Sequence, residues 1–63
     1  MSDSASLNIF VEDAIAQSER AVADFKAGKE AALKAIVGKV MQLSKGKANP
    51  QTAEQLLREK LSA

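Results

Sequence analysis

Apolar side chains recur along this chain every three or four positions, in four separate runs. In the first run, Leu7, Phe10, Val11, Ala14 and Ile15 stand at i, i+3, i+4, i+7 and i+8, the spacing that lines one face of an α-helix. It predicts a helix over Leu7–Gln17, with Ser6 or Asn8 as its N-cap and Glu12 and Asp13 on the far side. The polar residues 1–6 ahead of it read as a disordered N-terminal tail. A second, shorter run sets Val22 and Phe25 on one side with Ala21 beside them. Ser18 is placed to cap it, Lys26 falls in its last turn, and Gly28 supplies the positive φ that ends a helix, giving Glu19–Ala27.

The third run is the clearest. Leu33, Ile36, Val37, Val40 and Met41 repeat the same spacing, Ala32 widens the stripe, and the helix should extend from Lys29 to Leu43 or Ser44. Gly38 lies inside it, where glycine costs about 1 kcal/mol relative to alanine, which suggests close approach of a neighbouring helix or of a ligand backbone. Ser44-Lys45-Gly46-Lys47-Ala48-Asn49 breaks the pattern, with Gly46 permitting a left-handed turn. Asn49-Pro50 then reads as an N-cap followed by proline at the first helical position. The fourth helix, Pro50–Leu61, carries the stripe Ala53, Leu56, Leu57 and Leu61 and an i, i+4 pair, Glu54 and Arg58.

Four short amphipathic helices with short connections predict an all-α fold, a small compact bundle of three to four helices over residues 7–63. The expected core is Phe10, Ile15, Val22, Phe25, Leu33, Ile36, Val37, Val40, Leu56, Leu57 and Leu61, with Met41 filling a gap. Composition agrees: Ala, Leu, Lys, Glu and Gln, all strong helix formers, dominate the 63 residues. A chain of this length makes one domain of modest stability.

Chemistry is sparsely provided. There is no Cys and no His, which removes disulfides, thiolate metal sites, the usual general base and the commonest metal ligand. Glu12-Asp13 and Glu54/Glu59 fall on outward helix faces, and Ser18 and Ser44 have no base to activate them. Gly28-Lys29 and Gly46-Lys47 resemble fragments of phosphate loops, but no GxxxxGK[ST] string is present. No catalytic residue is assigned, and no metal site. No apolar run approaches the roughly 20 residues of a membrane span, and the acidic start is unlike a signal peptide, so a cytoplasmic protein without membrane contact is expected.

Charge changes this picture. Overall it is only +1, but it is unevenly spread. Residues 1–24 hold five acids against one base, net −4, and residues 25–50 hold six lysines against Glu30 alone, net +5. Residues 51–63 are balanced, with two of each sign. A basic middle segment attracts polyanions. Lys45 and Lys47 beside the fourth helix's N-terminal amides are candidates to hold a phosphate, and Lys26 and Lys29 flank the other glycine as a second contact. Lys34 and Lys39 would add long-range attraction. With no Trp or Tyr and both Phe assigned to the core, contact to backbone and shape is favoured over base reading.

The blocks Ala21-Val22-Ala23-Asp24-Phe25-Lys26-Ala27-Gly28-Lys29-Glu30, Val37-Gly38-Lys39-Val40-Met41, Lys45-Gly46-Lys47-Ala48-Asn49-Pro50 and Leu56-Leu57-Arg58-Glu59-Lys60-Leu61 resemble, in order and spacing, the GatB/YqeY family. The resemblance is to the helical C-terminal tail domain of the tRNA-dependent amidotransferase's B subunit. It covers about Leu7 to Leu61. Members commonly carry Asn-Pro near Ser18-Glu19, Tyr at Phe25 and Gln at Lys39, so this chain departs mildly there. What the resemblance implies is a module of an ATP- and glutamine-dependent ligase that converts Glu-tRNA(Gln) or Asp-tRNA(Asn) to the amidated forms. The A and C subunits of that complex would be its partners. ATP and Mg²⁺ would be handled by another part of the B subunit, leaving none in this domain. The tail would contact the tRNA and not act as an enzyme alone. A protein-interaction module, or a YqeY-like protein without direct RNA binding, is the alternative.

Overall fold

The four stripes become four helices. The computed structural model describes residues 3–62: α1 (Asp3–Gln17), α2 (Glu19–Lys26), α3 (Glu30–Leu43) and α4 (Pro50–Ser62). No strand occurs among the described residues. The radius of gyration is 10.6 Å, matching the roughly 10–11 Å of a compact chain of this length. The fold is all-α, as the periodicity implies.

α3 is the hub. It packs against α1, α2 and α4, and its Leu33, Ile36 and Val40 are buried. They meet Val11 and Ala14 of α1 and Ala53, Leu57 and Leu61 of α4 in one cluster. The expected Phe10, Ile15, Val22, Phe25, Val37 and Leu56 lie around this cluster half-buried. The innermost positions include two alanines, Ala14 and Ala53, because small residues let helix axes approach closely and are then sealed completely. α2 has no buried residue and rests mainly on α3.

The helix starts differ from expectation at the front of the chain. α1 begins at Asp3, not Leu7, so residues 3–6 are helical and not a disordered tail. Neither Gly nor Pro interrupts that stretch, so the helix continues back through it. Residues 1 and 2 of the expected tail lie outside the described residues. Ser6 and Asn8 are therefore interior positions, and neither is an N-cap. Asn8 instead donates from Nδ2 to Glu12 Oε2 at 3.3 Å. Ser18 does occupy the N-cap of α2, yet its side chain makes no capping bond.

Both ends of the central segment close as the glycines suggest, with one change. After α2, the Gly28 amide bonds the Phe25 carbonyl and the Lys29 amide bonds the Asp24 carbonyl, both at 3.0 Å. With Gly28 at φ 106°, this is a complete Schellman closure. After α3, Lys45 N–H bonds Gln42 O and Gly46 N–H bonds Met41 O, the same closure. There the first left-handed residue is Lys45 itself, at φ 57°, with Gly46 following at φ 79°. A side chain in this region costs roughly 1–2 kcal/mol.

A candidate anion-binding surface at the ends of α3

The connection from α3 to α4 is held by backbone and by one serine. Ser44 is 4% exposed; its Oγ donates to Met41 O at 3.2 Å and accepts from Ala48 N–H at 3.1 Å. Lys47 N–H bonds Ser44 O. Asn49 caps α4 as expected: its Oδ1 accepts from the amides of Gln51, at 2.9 Å, and Thr52, at 3.3 Å. Ala53 N–H bonds Asn49 O, and Pro50 has no N–H to offer.

These bonds narrow one expectation from the sequence. The amides of residues 44–48 and of the first turn of α4 are all donated internally. At the α4 N-terminus only the Asn49 amide has no partner among the described residues, so an anion beside Lys45 and Lys47 meets lysine side chains and at most that one backbone N–H. The start of α3 is more open. Lys29 is the N-cap without a capping side chain, and the amides of Glu30 and Ala31 have no hydrogen-bond partner among the described residues.

The six lysines fall into three groups. Lys45 and Lys47 are exposed in the α3–α4 loop. Lys26 and Lys29 are exposed around the Gly28 turn. Lys34 is exposed and Lys39 half-buried on α3, and their five-residue separation turns them about 140° apart around the axis. The first two groups sit at opposite ends of a 14-residue helix, about 20 Å apart, and do not form one patch. None of the six makes an ion pair among the described residues.

The remaining charges are matched instead. Arg58 grips Glu30 in a two-pronged bond, Nη2 to Oε1 at 2.7 Å and Nη1 to Oε2 at 3.2 Å, and also bonds Glu54 Oε2 at 3.1 Å. The Glu30–Arg58 half of this network joins α3 to α4 and escaped the sequence, because 28 positions separate the two residues. The hydrogen bond from Arg58 holds the Glu30 carboxyl below the usual carboxylate range. Bonds to Glu30 and then Glu54 raise Arg58 in turn. Lys60 reaches Glu12 of α1 at 3.3 Å. The one acid of the basic segment is thus occupied by Arg58, and the six lysines remain without an acidic partner among the described residues.

Gly38 also resolves. A methyl group built there would meet nothing within 4 Å, so no neighbouring helix requires the glycine. Among the described residues no helix is long and apolar enough to cross a membrane, and no cluster of acidic residues is arranged for a metal.

Fold and charge define a small all-helical module whose lysines at two helix-closing turns are unpaired among the described residues. The chain belongs to the GatB/YqeY family: the model described as "GatB domain" matches residues 1–61. Similar curated proteins are the B subunits of aspartyl/glutamyl-tRNA(Asn/Gln) amidotransferases. That of Chromobacterium violaceum is 52% identical over 62 residues, and that of Laribacter hongkongensis 50% over 62, each match covering 98% of this chain. The Herminiimonas arsenicoxydans protein is 48% identical over all 63 residues. In each case the chain spans only 13% of the relative's length. No solved structure gives a significant match.

Proposed function

We propose that this chain serves as the tRNA-binding tail module of an amidotransferase B subunit, helping to recognise the misacylated tRNA. The observation that carries the reading is the set of unpaired lysines at both ends of α3, in a chain whose relatives are named for a tRNA amidotransferase. Lys45 and Lys47 form one grip on the phosphate backbone, and Lys26 and Lys29 form the other. Lys34 and Lys39 add to the field. In this reading the module works in the cytoplasm beside the A and C subunits and has no activity alone. ATP and Mg²⁺ are used by regions of the B subunit that this chain does not span. Arginine and lysine contacts of this kind fix position on a nucleic acid more than they read sequence.

A titration of the isotope-labelled chain with a tRNA transcript at two salt concentrations tests this. Salt-sensitive shifts at Lys26–Lys29 and Lys45–Lys47 support it; their absence at low salt removes it. A second reading, docking onto protein, is favoured by one observation: Ile9 of α1 is 60% exposed. Shifts confined to α1 on adding the A or C subunits would favour that reading.

A further inference from the structure

Between the first half of α1 and the loop leading into α4 lies an open groove of about 630 Å³. Leu7, Phe10 and Ala48 give it apolar lining; Ser6, Lys47, Asn49 and Thr52 give it polar lining. Phe10 packs on the core only in part, and the sequence pattern alone assigned it wholly to the interior. Three of these polar groups have spare bonding capacity. Asn49 spends Oδ1 on its cap, which leaves its Nδ2 as a donor. The Thr52 hydroxyl has no partner among the described residues. Lys47 is exposed and makes no ion pair among the described residues.

We propose that this groove receives one unstacked nucleobase of the bound RNA. The groove and a base fit each other chemically. A base is a flat apolar plate with a hydrogen-bonding rim and a phosphate a few bonds away. The groove offers apolar lining with one aromatic ring, three uncharged polar side chains, Ser6, Asn49 and Thr52, and one cation continuous with the Lys45–Lys47 loop. The volume falls in the range of small-molecule sites, roughly 300–1,000 Å³. An acidic peptide would match the lysine but not need the uncharged polar side chains. The inference rests on the tRNA reading above and adds to it a contact that is not ionic.

Two substitutions test it. Phe10→Leu keeps an apolar side chain and removes the π face; Thr52→Leu narrows the groove without touching the Asn49 cap, which uses the Thr52 backbone. Helical circular dichroism checks that both fold. Each should weaken binding of a tRNA transcript about five- to tenfold, with the slope of log K against log salt unchanged, because stacking releases no counterions. Leu7 methyl and Phe10 ring signals should shift on titration together with the Lys47 amide. Wild-type affinity in both variants, with binding still weakened by loss of Lys45 and Lys47, overturns the groove and leaves the tRNA reading standing. Absence of any RNA binding by the wild-type chain overturns both. Groove shifts with an acidic apolar peptide and none with RNA also overturn it.

Discussion

Ser44 and Ala48 are tied by a single hydrogen bond, Ala48 N–H to Ser44 Oγ at 3.1 Å, and that bond fixes the path of the lysine loop between them. The hydroxyl is nearly sealed from solvent and simultaneously donates to Met41 O. Replacing it leaves a partly buried amide without an acceptor. Ser44→Ala should cost about 1–3 kcal/mol in urea unfolding and raise the hydrogen-exchange rate of the Ala48 amide. A change under about half a kcal/mol would mean that water replaces the hydroxyl freely.

Lys45 holds a left-handed backbone that glycine adopts without strain. Lys45→Gly should therefore stabilise the fold by up to about 1 kcal/mol, whereas Lys45→Ala keeps the strain and should leave stability nearly unchanged. Thermal melts of the two variants separate backbone from charge. Both should weaken RNA binding alike if the ammonium is what matters.

Gly38 faces open space inside α3. Gly38→Ala should add about 0.5–1 kcal/mol of stability, read from the urea midpoint. Destabilisation would show that the outer face of α3 is more crowded than its geometry indicates.

The Glu30–Arg58 bridge should appear in the pH dependence of stability. Glu30 titrates lower in the folded chain than in the unfolded one. Its contribution is present above the unfolded carboxylate range and is lost as pH falls through the folded value. Both partners are well exposed, so salt should screen the effect. Melting temperatures of wild type and Glu30→Gln should differ most near neutral pH and converge in acid. A gap that persists unchanged at low pH would assign the difference to something other than the bridge.

Local rules carried the helices. The stripes located all four, Gly28 ended α2, and Asn49-Pro50 started α4. What the sequence could not convey depends on three-dimensional placement. Val11, Ala14 and Ala53 lie on the apolar stripes, but that they, more than Phe10 or Ile15, form the sealed centre shows only once the helix axes approach. Ser44 looks like any turn serine until its two partners are seen. The Glu30–Arg58 contact crosses the fold. At the candidate site the lysines were legible as charge, but which amides remained open was not. Capping by Asn49 and the closure after α3 consume those near Lys45 and Lys47 except the Asn49 amide, and an open pair lies at Glu30 and Ala31. Phe10, assigned to the core from the pattern, is half-buried and lines the groove beside the same loop.

If lysine side chains engage RNA at the α3–α4 loop, the decisive measurement is the salt dependence of tRNA binding for wild type and the Lys45→Ala/Lys47→Ala double variant. Each lost phosphate contact should reduce the slope of log K against log salt by about 0.7–0.9, so the double variant should be shallower by about 1.5 and bind more weakly at low salt. Equal affinity and equal slope in the two proteins would contradict the assignment of this loop as the RNA grip.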